Sequence, residues 1–185
     1  MGANSTKLLV LGVVTLREPT YGYEIEKELK NWNADKWAGI ARASVYNQLK
    51  SLTKNGMLKF DSTIKPENRP TQYLYRITEQ GKKEFYSLLR EQLNDHDPQP
   101  GDLMPILSFI PFLPQEEISN ACLKRIRYYS SFIESFDSEM GKWFPPETAR
   151  ISYIKEIFYR EKAAIVAEKT WLMDFLNRLP SYYNA

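Results

Sequence analysis

At Gly56 the apolar period of this chain changes, and few folds accommodate the change. Before it, Val45, Leu49 and Leu52 fall at i, i+4 and i+7, with Gly56 at i+11. That spacing predicts one buried stripe of an amphipathic helix, with a glycine placed to end it. After it, Leu58, Phe60 and Ile64 sit on one side of a short run, Lys65 to Pro70 make a basic tip bounded by prolines, and Tyr73, Tyr75 and Ile77 alternate along a second run. The expectation is a helix leading straight into a two-stranded hairpin. A lone hairpin is marginal in water, so its apolar face must pack on the preceding helices.

The other face of that helix carries chemistry. On a helical wheel at about 100° per residue, Asn47 and Lys54 lie opposite the stripe, with Ala43, Lys50 and Ser51 beside them. The face holds amide, hydroxyl and ammonium groups and no carboxylate. Such a face suits a DNA major groove, where Asn and Lys reach base edges or phosphates and Ser and Tyr hydroxyls bond to phosphate oxygens. A solvated helix surface is the alternative for this window taken alone. The hairpin that follows tips the balance, because helix then hairpin is the order of a recognition helix and its wing.

The segment Ser44-Val45-Tyr46, with Leu49, Leu52 and Asn55-Gly56-Met57-Leu58 after it, and then Tyr73-Leu74-Tyr75-Arg76-Ile77-Thr78-Glu79-Gln80-Gly81-Lys82, resembles the PadR family of winged-helix transcriptional regulators. Leu9 to Val14 and Tyr21-Gly22-Tyr23-Glu24-Ile25 are similar to that family's first two helices. Within a long later helix, Arg160-Glu161-Lys162 resembles the C-terminal domain of the phenolic-acid-responsive members. One departure is Tyr46-Asn47, where family members usually carry Tyr-Pro; it bears on the operator sequence more than on the fold. The resemblance implies a homodimer that binds an inverted-repeat operator on double-stranded DNA as a repressor, relieved by a small aromatic or phenolic effector. The expected DNA contacts are Tyr21, Arg42, Ser44, Tyr46, Asn47, Lys50, Ser51 and Lys54, with Lys65 and Arg69 from the wing. Tyr21 serves core packing equally well. A winged helix that binds protein, without a DNA function, is the competing reading.

Charge is distributed unevenly along the chain. From Lys36 to Arg76 there are eight basic residues against two acidic ones, whereas residues 96–185 hold ten basic and twelve acidic. A basic DNA-binding part joined to a near-neutral one gives such a field. With one cysteine, Cys122, and one histidine, His96, no thiol–histidine metal cluster or internal disulfide is expected. There is no Gly-rich phosphate loop or nucleophile elbow, so no enzyme activity and no cofactor is expected. No apolar run approaches the ~20 residues of a membrane span, and Arg17-Glu18-Pro19 follows the first apolar run where a signal peptide would have small residues. The expected location is the cytoplasm.

In chain order, Asn4-Ser5-Thr6 offers caps for a first helix ending near Arg17, apolar nearly all round, which needs cover from a second element or a partner subunit. Thr20 can cap the next helix, with Tyr21, Ile25, Leu29 and Trp32 buried. After the wing Thr78 caps another, with Phe85, Leu88, Leu89 and Leu93 on one face. The predicted domains are a winged helix over 1–94, a polar, proline-rich linker over 95–101 and a helical dimerisation and effector domain over 102–185. There a short helix covers 102–110. From Ile118 through Cys122, Ile126, Tyr129, Ile133, Phe136 and Met140 to Trp143, threes and fours alternate as in a coiled-coil seam. Pro145-Pro146 separates it from a last helix over about 147–179, so the two long helices pair antiparallel. Glu161 and Glu168 interrupt the second seam and need an edge, a cationic partner or a wet cavity. Aromatic residues are dense here, and Tyr128, Trp143, Tyr153 and Trp171 are the candidate effector contacts. Arg125, Arg127, Arg150 and Arg160 are equivalent candidates for the counter-ion of an acidic effector.

Overall fold

The computed structural model describes residues 3–64, 71–145 and 153–184, with side chains from Ser5 onward. The chain forms two compact units, Met1–Leu93 with Met104–Phe109, and Asn94–Leu103 with Ile110–Ala185. The fold is mainly helical with a small antiparallel sheet, as the sequence led us to expect.

In the first unit the order is α1 (Ala3–Arg17), β1 (Thr20–Tyr21), α2 (Gly22–Asn31), α3 (Ala34–Trp37), α4 (Arg42–Lys54), β2 (Leu58–Ile64), β3 (Gln72–Ile77), α5 (Glu79–Leu93) and α6 (Met104–Leu107). Helix α1 is its centre: Leu8, Leu9, Val10, Leu11, Val13 and Val14 are wholly buried. Burial of these side chains contributes on the order of 10 kcal/mol before chain entropy is subtracted. The cover comes from α2, α4, α5, α6 and β3 of the same chain, so α1 does not require a partner subunit. Gly12 admits the closest layer, since a Cβ there would run into the Phe109 ring. The helix begins at Ala3, ahead of its expected caps, and Ser5 is buried within it.

Helix α4 ends as Gly56 requires. Gly56 has φ +71°, in the left-handed region. Its N–H donates to the Thr53 carbonyl at 3.1 Å and the Met57 N–H to the Leu52 carbonyl at 2.9 Å, the paired bonds of a Schellman motif. Thr78 then joins α4 to α5: its hydroxyl donates to the Gly56 carbonyl at 2.7 Å and accepts the Gly81 N–H at 3.0 Å, capping α5 as expected.

The sheet has three strands in the order β1-β3-β2, where the sequence suggested two. Thr20 pairs with Tyr75 and Tyr21 with Leu74, so Thr20 is a strand residue and not the cap of α2. Two residues carry no alternation, which is why this strand left no mark in the pattern. Leu58 pairs with Ile77 and Phe60 with Tyr75, after which the register is irregular between Phe60 and Thr63. Leu58 and Ile77 are buried as expected; Phe60 keeps the same face, against Tyr73 and Tyr75, but is exposed, and Ile64 is exposed beyond the irregularity, which ends the alternation of β2 there.

The second unit is built on α7 (Gln115–Trp143) and α8 (Lys155–Arg178), flanked by single 3-10 turns at Ile110–Phe112 and Leu179–Tyr182. The helices run antiparallel. Trp143 and Phe144 meet Phe158, Phe136 meets Tyr159, and Lys162 pairs with Asp137 at 3.2 Å. Phe136, Met140 and Phe144 form a cluster against Phe132, Ile154 and Phe158. The seam shifts at its end: Phe144 takes the buried place and Trp143, the last residue of α7, is exposed. The Tyr183 hydroxyl donates to the Leu113 and Ile110 carbonyls at 2.7 and 3.0 Å, fixing the last turn beside the start of α7. The short helix expected over 102–110 is confined to Met104–Leu107, since the Asp102 carboxylate is in a turn that accepts the Gln99 N–H at 2.8 Å.

Candidate nucleic-acid interface

Helix α4 presents two adjacent stripes of polar side chains. Its apolar stripe, Val45, Leu49 and Leu52, is buried against the first unit. Asn47, Ser51 and Lys54 point to solvent, with Ser44 half-buried on the same side. Arg42, Tyr46 and Lys50 turn instead toward a cleft between α2, α4 and the sheet. Lys65 and Arg69 lie outside the described residues.

The cleft has a volume of about 830 Å³. Tyr21 and Tyr23 enter it from the start of α2, Tyr46, Arg42 and Lys50 from α4, and Phe60, Thr71, Gln72, Tyr73 and Tyr75 from the hairpin. Among the described residues that line it, none is acidic. Gly22 lets α2 and α4 approach at this point, since a Cβ there would lie 2.8 Å from Tyr46 Cε1. The rings contact one another in groups: Phe60 with Tyr73 at 5.7 Å and with Tyr75 at 5.3 Å, Tyr21 with Tyr23 at 6.4 Å.

The polar groups are held in place. Tyr21 Oη donates to Glu24 Oε1 at 3.0 Å, and Arg42 Nε is 3.1 Å from Glu26 Oε2 with its guanidinium 5.7 Å from the Tyr46 ring centre. The Tyr46 hydroxyl first, and the Glu26 carboxylate second, hold Arg42 more firmly in its charged form. Burial raises the Tyr75 phenol above its ordinary value, so it stays neutral and able to donate at physiological pH. The cleft therefore offers two cations and a group of phenol hydroxyls to anionic oxygens, beside ring faces open to stacking.

The candidate effector residues of the second unit do not converge. Tyr128 donates to Asp97 Oδ1 at 2.6 Å, Trp143 packs on Phe158, Tyr153 is exposed, and Trp171 stacks on Phe175 at 5.0 Å. Tyr128 and Trp143 are fifteen residues apart on α7, roughly 22 Å at 1.5 Å per residue, too far to share one small ligand. Among the arginines, burial breaks the tie. Arg125 is 2% exposed while Arg127 and Arg160 face solvent, and Arg150 lies outside the described residues. Beside Arg125 sit Tyr129, Cys122 and the half-buried Glu168, whose carboxylate accepts the Gly101 N–H. Burial raises the Glu168 carboxyl, opposed by the Gly101 bond and the Arg125 charge. Burial also pushes the Tyr129 phenol to about 12 and the Cys122 thiol to about 11. Glu168 thus meets its cation within its own chain. No group of His, Cys, Asp or Glu able to hold a metal ion occurs among the described residues, and no helix there is long and apolar enough to cross a membrane.

Residues 10–87, spanning α1 to most of α5, match the model of the transcriptional regulator PadR-like family. The match falls within the first unit. Solved structures similar to the chain include smu.1604c from Streptococcus mutans UA159, at 23% identity over 92% of this chain and 98% of that one, with a TM-score of 0.42. Bacillus subtilis PadR in complex with operator DNA is 20% identical over 95% and 96% of the two chains, with a TM-score of 0.42. The same protein in complex with p-coumaric acid is 21% identical over 94% and 99%, with a TM-score of 0.35. No curated protein matches the chain.

Within the PadR-like unit, the cleft is what the sequence reading missed. Phe60, Tyr73 and Tyr75 read as the apolar face of the hairpin, packed on the preceding helices, and Tyr23 as part of the second helix. A signal was available in the composition of that face, since several phenols on one side of a hairpin bring too many hydroxyls for a dry core.

Proposed function

We propose that this PadR-like regulator binds double-stranded DNA as a homodimer, with α4 as recognition helix and the β2–β3 hairpin as wing, and represses transcription from an inverted-repeat operator. The observation that carries the reading is the outward face of α4, where Asn47, Ser51 and Lys54 are exposed beside the cleft-lining Lys50, with no carboxylate on the helix. Asn47 is assigned to base edges and Lys54 to phosphate, with Arg42, Ser44, Tyr46, Lys50 and Ser51 beside them and Tyr21, Lys65 and Arg69 at the flanks. Residues 1–94 are assigned to DNA and 102–185 to dimerisation. Helix α8 supports a second copy, since Tyr159, Val166 and Met173, seven residues apart, remain exposed on it. Two recognition helices must stand one DNA turn apart, about 34 to 36 Å, so an effector that reorients the C-terminal helices would release the operator. Tyr128, on the same helix as the buried Arg125, is the first candidate contact for a small aromatic effector; Trp143, Tyr153 and Trp171 are too dispersed to complete the same site.

Fluorescence anisotropy on the DNA upstream of the chain's own gene, against scrambled DNA and with and without p-coumaric acid, tests this. Preferential binding reversed by the acid supports a ligand-released repressor. Preferential binding that the acid leaves unchanged keeps the regulator and discards this effector. Binding to neither DNA at low salt makes protein interaction the better reading.

A further inference from the structure

The cleft of the first unit is built for more than a DNA backbone. Phosphates of a duplex require donors, and Arg42, Lys50 and the phenol hydroxyls provide them; they make no use of an exposed phenylalanine. Yet Phe60 is 57% exposed, and Tyr73 and Tyr23, which also line the cleft, are 53% and 54% exposed. Bases in a duplex are stacked on one another and cannot lie on these rings. A cavity of about 830 Å³ with mostly aromatic walls and a few convergent polar groups has the size and lining of a small-ligand site. The ligand's charge follows from the lining: Lys50 and Arg42, the latter also paired with Glu26, and no acid among the lining residues, with Thr71 and Gln72 also in the lining. Lys50, Arg42 and the Tyr46 hydroxyl converge from one helix face, an arrangement that the three oxygens of a phosphate can accept from three directions.

We propose that this cleft is a nucleotide site, in which a single base stacks on Phe60 beside Tyr73 while its phosphate is held by Lys50, Arg42 and the Tyr46 hydroxyl. The nucleotide is either free or an unpaired residue of a DNA strand, since both bring the same ring and phosphate. Because Arg42, Tyr46 and Lys50 lie on α4, an occupied cleft and a bound duplex exclude one another. This competition rests on the DNA-binding reading; direct nucleotide binding does not.

Isothermal titration calorimetry of the full chain with GMP, inorganic phosphate and pentathymidylate tests the site. GMP or pentathymidylate binding, at least about fivefold weaker in Phe60→Ala, is the expected result, from the size of base–aromatic stacking measured by alanine substitution. GMP binding identifies a free nucleotide as sufficient; pentathymidylate alone identifies an unpaired residue of a strand. Phosphate binding as tightly as GMP, or unchanged affinity in a folded Phe60→Ala, overturns the proposal. Amide shifts in the unmodified protein on GMP or pentathymidylate addition provide a check independent of the variant: they should centre on Tyr23, Lys50, Phe60 and Tyr73, and shifts only elsewhere refute the site. If the operator duplex binds and neither nucleotide probe does, the DNA reading stands and this one falls. If a probe binds through Phe60 and no duplex binds, the nucleotide site stands and the DNA reading falls.

Discussion

Replacing Gly12 with alanine puts a methyl group where the structure has none to spare. Gly12 is on the central helix α1, and its added Cβ would overlap the Phe109 ring. The ring cannot withdraw freely: it is wholly buried and meets Trp32 edge-on at 5.7 Å and Phe85 at 5.2 Å. Overpacking of a close-packed core costs typically about 1 to 3 kcal/mol, which outweighs the roughly 0.5 to 1 kcal/mol that alanine contributes over glycine in a helix. For a unit of about 100 residues each kcal/mol moves the midpoint by about 4 to 8 °C, so Gly12→Ala should lower the unfolding temperature of the first unit by up to roughly 20 °C. Gly141→Ala is the control, since no heavy atom lies within 4 Å of its added Cβ, and it should stabilise the second unit slightly. Phe109→Leu removes the ring that meets Gly12. The double variant should therefore be more stable than the sum of the two single changes. Thermal unfolding followed by circular dichroism measures all four. Gly12→Ala melting with the wild type, or strict additivity with Phe109→Leu, would refute the assigned packing of α6 and Phe109 on α1.

Other expectations concern the DNA face and the buried groups. Asn47→Ala should relax sequence preference, at about 1 to 3 kcal/mol for the base it reads; equal weakening on every sequence would make it a positioning contact. Cys122, buried and with its thiol raised to about 11, should resist iodoacetamide in the folded protein at neutral pH and react after unfolding, as peptide mass analysis would record. Tyr129 links stability to high pH. Its phenol is held near 12 when folded against about 10 when unfolded, so the stability it contributes is complete below pH 10 and is lost as pH rises toward 12. Tyr129→Phe should flatten that part of the stability profile, and an unchanged profile would put the pH dependence elsewhere.

What could be read in advance followed from period and punctuation. The switch at Gly56 located α4 and the wing because each element has its own spacing, and the glycine's positive φ is a requirement that side chains disfavour. The antiparallel pairing of α7 and α8 was legible because long seams with a proline break leave few alternatives. The cover on α1 was not, since an all-round apolar helix states that it is buried and not by what. Nor was the cleft, because it is made by side chains from α2, α4 and the hairpin, and alternation gives Phe60 its face but not whether another element covers it. The buried arginine was hidden for a similar reason: Arg125 is one charged residue among many on α7, and only the place of α8 distinguishes it from Arg127.

Whether the outward face of α4 meets DNA phosphates is read from the salt dependence of binding. Affinity for the operator duplex should fall linearly on a log–log plot against salt, with a slope of about −0.9 per phosphate contact. Lys54→Ala should weaken specific and scrambled DNA alike and reduce the slope by about one contact per protomer. Binding that does not respond to salt, or a slope that Lys54→Ala leaves unchanged, would contradict the account.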